Sequence, residues 1–137
     1  MYILGFPLLL IGFAIYNIIA FLMPDLTWTA TAFSVPMVSG AVWTMTTGEL
    51  LITFSLLLLF GEVMKSTRIG MRTVVDHGLS LILFLAMLVE FLLVKQAGTG
   101  TFFLLLAISF VDVLAGFAVT LRSAQRDLTV EGSLPHV

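Results

Sequence analysis

Cysteine is absent from this sequence of 137 residues, and charged residues make up only 10% of it. Without cysteine there is no disulfide bond, no thiolate metal site and no thiol nucleophile, and cysteine usage cannot indicate a redox compartment. The chain has only six Lys and Arg residues, and its net charge of -2 offers no positive surface for nucleic acid. These absences argue against a disulfide-stabilised secreted domain and against a nucleic-acid-binding protein.

Hydrophobic residues, in contrast, make up 60% of the chain. Soluble domains contain about 45–50% apolar and about 25% charged residues. A chain this small buries only a limited share of its surface on folding, so this much apolar surface needs the bilayer as its solvent. The composition therefore predicts one integral membrane domain over residues 1–137, with membrane lipid as its constant partner.

Four stretches have the composition of a membrane-spanning helix, which needs about 20 mainly apolar residues. They cover approximately residues 2–23, 48–64, 77–94 and 102–121. The first stretch lacks the basic leading segment of a secretory signal, so we expect it to be a span. The predicted fold class is an all-α membrane protein, a four-transmembrane-helix bundle.

The basic residues predict the orientation of this bundle, because cytoplasmic loops carry an excess of Lys and Arg. The loop at 65–76 and the tail at 122–137 hold all but one of them, and Lys95 alone lies on the other side. Both termini are then cytoplasmic, and the loop at 24–47 faces outward. Compactness and loop charges favour a bacterial inner (cytoplasmic) membrane.

The outer loop alternates in character, which is typical of strands. Before the Ser39-Gly40 pair, threonines alternate with the apolar residues Leu26, Trp28, Ala30 and Ala32, and Pro36 limits this first run. After the pair, the alternation resumes at Ala41, Trp43 and Met45. We therefore expect an extended outer loop that forms a short β-hairpin, with an irregular or interfacial helical loop as the alternative. Trp28 and Trp43 are predicted to anchor this loop at the headgroup level.

Polar residues inside the spans are few, and some occupy similar depths. Asn17, Thr53, Ser55 and Glu90 each lie about a third of the way in from the outer surface, at about 1.5 Å per residue. Side chains of this kind hydrogen-bond across membrane helices. We expect these four residues to form one buried polar layer.

Asp112 lies deeper, near the middle of the fourth span. At that depth the other spans are expected to offer only apolar residues such as Leu58 and Leu85, which cannot pair with a carboxylate. An aspartate at mid-bilayer costs about 2.5–3.5 kcal/mol on the insertion scale, so its presence calls for an explanation. The same helix face carries further polar and small residues, and together they form a stripe of Ser109, Asp112, Ala115 and Gly116.

Three interpretations of this stripe remain open. In the first, protonated Asp112 donates to a carbonyl one turn back and packing hides it. In the second, the stripe is a helix–helix interface with a second copy or another subunit, because small residues let helices approach closely. In the third, Asp112 and Glu90 are steps of an ion or proton path.

No sequence motif indicates catalysis or a cofactor. There is no glycine-rich phosphate loop and no Ser, His and acid spacing for acyl transfer. Glu62, Asp76 and His77 could gather at the cytoplasmic ends of the second and third spans and bind a metal weakly, but their spacing is too unspecific to predict a metal site. The architecture resembles small four-span subunits that accompany larger transporters and energy-converting complexes. This resemblance implies a non-catalytic accessory or scaffold subunit that assembles with itself or with a larger membrane complex. A small oligomeric channel or proton-coupled transporter is the alternative.

Overall fold

A computed structural model describes residues 6–66 and 71–133 of the chain. This part of the chain is mostly helical and contains one small sheet. The elements follow in the order α1 (Leu9–Leu22), β1 (Thr31–Pro36), β2 (Val42–Thr46), α2 (Thr47–Ser66), α3 (Met71–Leu93) and α4 (Gly100–Ser133), with a single 3-10 turn at Lys95–Ala97 before α4.

The four helices run alternately up and down, and α4 is the central one. It packs along both α2 and α3, whereas α1 packs mainly against α2. The sheet lies where α1 and α3 end and α2 and α4 begin, and we call this the hairpin end of the bundle. The opposite end, where α2 ends and α3 begins, is the far end.

Three helical segments of the described chain are long and apolar enough to cross a membrane. They are Thr47–Lys65, Val74–Leu93 and Gly100–Val119. The first predicted span is shorter than expected, because α1 begins only at Leu9 and covers 14 residues, or about 21 Å. Pro7 lies just before this start, where its missing N–H is tolerated and its φ angle suits a first helical turn. Residues 1–5 of the predicted span lie outside the described residues.

The predicted hairpin is confirmed. β1 and β2 pair antiparallel, with Val35 opposite Trp43 and Pro36 opposite Val42. Gly40 has a φ of 93° in the connecting turn, where its amide bonds to the carbonyl of Met37. Only glycine adopts such an angle without strain. The first alternating run was assigned too early a start, because residues 25–30 form turns and β1 begins at Thr31.

The helix ends differ from those expected from hydropathy. α3 begins at Met71, so it includes the polar residues before His77, and Asp76 lies inside its early turns. α4 continues to Ser133, far beyond its apolar part. Thr46 and Glu49 cap the start of α2 reciprocally, since each side chain accepts a hydrogen bond from the other residue's amide. This is a capping box, and the sequence Thr-Thr-Gly-Glu carries its signature.

Aromatic side chains fill the hairpin end of the core. Tyr16 is fully buried, stacks on Trp28 at 4.5 Å and meets Phe102 edge-on at 4.9 Å. Its hydroxyl donates to the carbonyl of Gln96 and shares a hydrogen bond with Thr99. Tyr16 thus ties α1 to the segment that leads into α4.

Candidate functional site

A cavity of about 200 Å³ lies between α3 and α4 in the far half of the bundle. Its wall is mainly apolar, and three polar side chains reach it, namely those of Asp112, His77 and Ser80. Val74, Leu81 and Phe117 line it as well and are themselves exposed at the surface of the chain. The cavity therefore opens sideways, towards the region that lipid occupies around a membrane protein.

Asp112 is buried inside the chain, with only 6% of its surface exposed. The Ser80 hydroxyl of α3 faces its carboxylate. The second carboxylate oxygen, Oδ2, is buried and has no hydrogen-bond partner among the described residues. A buried carboxylate oxygen without a partner is costly, so it needs a proton, a donor or a cation.

Two residues of the stripe, Asp112 and Gly116, pack against α3 of the same chain. Ser109 and Gly116 are buried, and Ala115 is half-buried. A Cβ atom at Gly116 would lie 2.9 Å from Nδ1 of His77, which shows how closely the His77 ring approaches the α4 backbone. Asp112 and Gly116 thus take part in a helix–helix contact within one chain.

The expected neighbours of Asp112 were placed about one turn away from the real ones. Ser80 and His77 approach it, whereas Leu85 lies exposed nearer the hairpin end. The reason is that α4 begins at Gly100, before the predicted start, and the antiparallel α3 ends at Leu93. These small offsets add because the two helices run in opposite directions. His77 and Ser80 are three residues apart, and this helical spacing was the available signal for a shared polar face.

Charged side chains of α2 act on this site from the far end. Glu62 and Lys65 are close enough to interact electrostatically with Asp112, and Glu62 and Asp76 interact with His77. The Lys65 ammonium lies 3.4 Å from Glu62, so these two charges largely compensate each other. No ion pair among the described residues includes the carboxylate of Asp112, which lies beside the cavity.

Glu62 has a structural role that sequence reasoning missed. Only 4% of its surface is exposed, although it lies near the end of a predicted span, where a carboxylate usually reaches water or headgroups. Its carboxylate accepts a hydrogen bond from the amide of Leu8, at the start of α1. Lys65 donates to the carbonyl of Phe6 at 2.6 Å. We call these two contacts between the start of α1 and the end of α2 the clamp. No local sequence pattern signals it, because Leu8 and Glu62 are 54 residues apart in the chain.

The four residues of the expected polar layer do not all meet. Asn17 and Glu90 interact with each other, and Asn17 also donates to the carbonyl of Phe13 in its own helix. Ser55 is buried against Gly12, which precedes Asn17 by five residues in α1 and lies nearer the far end. Thr53 is exposed and bonds back to the carbonyl of Glu49.

The two tryptophans occupy different environments. Trp28 is packed on Tyr16 inside the hairpin end, and its carbonyl accepts the amide of Gly48. Trp43 lies on the hairpin, 44% exposed, with Phe33 edge-on at 5.6 Å. Of the pair, only Trp43 presents its ring to the surroundings.

The described residues contain no group of three His, Asp or Glu side chains arranged to hold a metal ion. Comparisons with known proteins add no information, since no family model, no curated protein and no solved structure matches this chain. The site must therefore be interpreted from its own geometry.

Proposed function

We propose that this chain is a non-catalytic integral membrane subunit that assembles with itself or with a larger membrane complex through its β-hairpin. In this proposal the chain spans a bacterial inner membrane four times, with both termini in the cytoplasm. The observation that carries the proposal is an apolar hairpin that is exposed on both faces and held in a fixed position on the bundle.

The hairpin exposes a large apolar surface for its size. Every residue of β1 is exposed, and Phe33, Val35, Val42 and Trp43 are among the large hydrophobic side chains that the fold leaves uncovered. A two-stranded hairpin is marginally stable by itself. A further strand or an apolar partner surface would cover these side chains and stabilise the hairpin.

The hairpin is nevertheless fixed to the helices. The amide and hydroxyl of Thr47 both donate to the carbonyl of Ala30, at 2.9 and 3.2 Å, and the amide of Gly48 donates to Trp28. β2 also continues directly into α2. The hairpin is thus presented as a preorganised surface, which lowers the entropic cost of binding.

The pairing pattern identifies the backbone groups that a partner strand would use. The amide of Met37 donates a hydrogen bond to the carbonyl of Ala41. In an antiparallel pair of strands, hydrogen-bonded and non-bonded residue pairs alternate. Ser34 and Thr44, three pairs further along, are therefore a non-bonded pair whose amides point away from each other. Each amide lies on a free edge, where an added strand binds.

Proline substitutions at these two positions test the proposal. Thr44→Pro and Ser34→Pro remove one edge donor each and leave the internal ladder intact. We expect at least one of them to abolish the assembled band in blue-native electrophoresis of mildly solubilised membranes. Thr44→Ala is the matched control for Thr44→Pro, because both lose the 3.2 Å hydroxyl contact with Ser34 but only alanine keeps the amide. Assembly of both proline variants at the level of the alanine control would contradict the proposal.

The second candidate function is a small oligomeric channel or proton-coupled transporter. It is supported by two buried carboxylate oxygens, one on Asp112 and one on Glu90, that have no hydrogen-bond partner within the described chain. Intramembrane carboxylates frequently mark ion and proton pathways. A channel or transporter differs from a pure assembly subunit because it must carry a flux of ions or protons. In that case Asp112→Asn should abolish the flux while the oligomer persists.

A further inference from the structure

We propose that the cavity between α3 and α4 binds an amphipathic organic cation, whose ammonium group pairs with Asp112 and whose apolar part fills the remaining space. The proposal concerns the chain alone and does not rest on assembly through the hairpin. It also gives the unpartnered carboxylate oxygen a chemical role.

The charge of the site selects a cation. Oδ2 of Asp112 is buried, accepts no hydrogen bond from the described residues, and belongs to a residue that lines the cavity. Lys65, the nearby cation, is engaged with Glu62 and with the carbonyl of Phe6. An N–H donor that carries positive charge satisfies both the free lone pairs and the uncompensated charge of such a carboxylate.

The size and lining of the cavity select an organic cation over a bare ion. A volume of about 200 Å³ corresponds to roughly six or seven water molecules at about 30 Å³ each. Most of the wall consists of aliphatic and aromatic side chains, including Leu81, Val113 and Phe117. A metal ion would leave this apolar wall uncovered, whereas the body of an alkyl or aryl ammonium compound would contact it.

His77 and the apolar mouth of the cavity add selectivity for an amphipathic ligand. Nε2 of His77 is buried and has no hydrogen-bond partner in the part of the chain that is described, so the imidazole offers a second polar contact. Val74, Leu81 and Phe117 form an exposed apolar rim. A ligand dissolved in the membrane would reach Asp112 through this rim with its apolar part in contact with lipid.

The test is a calorimetric titration of the full-length protein in neutral maltoside micelles with 2-phenylethylammonium. The neutral 2-phenylethanol, which has nearly the same shape, is the matched probe. We expect saturable binding of the ammonium compound and binding of the alcohol that is weaker by about tenfold or more, because only the former forms the buried ion pair. Equal affinity for the two probes would overturn the proposal.

Variants localise the binding. Asp112→Asn should weaken ammonium binding by about tenfold or more, and Glu90→Gln, which alters an intramembrane carboxylate outside the cavity, should leave it unchanged. Gly78 lines the cavity, and a Cβ there meets no atom within 4 Å, so Gly78→Leu should block the site without a clash at Cβ. If Asp112→Asn does not fold by circular dichroism, Gly78→Leu decides the matter. Unchanged affinity in a folded Asp112→Asn or Gly78→Leu variant would overturn the proposal.

Discussion

Two buried acidic residues of the far half show how neighbouring side chains can have different roles. Oε1 of Glu62 accepts hydrogen bonds from the Leu8 amide and from Lys65, so Glu62 is a structural group that holds the start of α1 against α2. Asp112 has one oxygen facing Ser80 and another without a partner among the described residues. The satisfied carboxylate stabilises the fold, and the incompletely satisfied one is the better candidate for binding.

Glu62→Gln should destabilise the protein. The amide keeps an acceptor for Leu8 but removes the charge that pairs with Lys65, and a hydrogen bond to a charged group contributes about 1.5–3 kcal/mol. We expect a loss of about 1–3 kcal/mol in the free energy of unfolding, measured by reversible SDS titration in mixed micelles. Asp25→Asn, at an exposed position, is the control and should stay within about 0.5 kcal/mol of the wild type. Equal stability of the two variants would show that the negative charge of Glu62 contributes nothing to the stability of the fold.

Sequence reasoning located Asp112 as the unusual residue but misplaced its surroundings. The depth of a residue in a span defined by hydropathy carries an error of a few residues at each end of the span. An error of one helical turn was enough to predict leucines as the neighbours of Asp112 instead of Ser80 and His77. The role of Glu62 was beyond any local pattern, because its partner belongs to another helix. Side-chain partners in a bundle depend on the relative offset of helices, which composition does not determine.

Secondary-structure elements were easier to predict than contacts. Alternation and the Ser39-Gly40 pair predicted the hairpin, because period two and a positive-φ glycine are local properties of a strand and its turn. Trp28 continued the same alternation, yet Tyr16 holds it in the core. Hydropathy placed three long helices, but it missed their polar ends at 71–76 and beyond 121, since helix formation there does not require apolar residues.

The junction between hairpin and α2 provides a prediction for these elements. A Cβ atom at Gly48 would lie 2.5 Å from the Thr101 hydroxyl and 3.1 Å from the carbonyl of Trp28. Gly48→Ala should therefore push the hairpin away from the helices. We expect the free energy of unfolding to fall by about 1–3 kcal/mol, as is typical of overpacking.

Gly100→Ala is the matched control for Gly48→Ala, since a Cβ there meets nothing within 4 Å. At this helical position alanine should be neutral or slightly stabilising. The same SDS titration measures both variants. If Gly48→Ala is as stable as Gly100→Ala, the junction tolerates more displacement than its geometry implies.

For the whole molecule, the exposed apolar surface has two distinct parts. The helices expose leucine, isoleucine and phenylalanine side chains along segments that are long enough to cross a membrane, and lipid is the expected solvent there. The hairpin exposes apolar side chains on strands whose edge amides remain free for pairing. Lipid chains cannot hydrogen-bond to those amides, whereas a strand of another chain can.

Assembly is the central claim of this account, and native mass spectrometry tests it most directly. The wild-type protein would be released from the mildest detergent that extracts it, and the masses of the intact species would be recorded. We expect species heavier than the 15.0 kDa chain, either multiples of it or a complex with a larger subunit. Thr44→Pro or Ser34→Pro should reduce these species to the single chain. A bare monomer under all mild extraction conditions would contradict the claim.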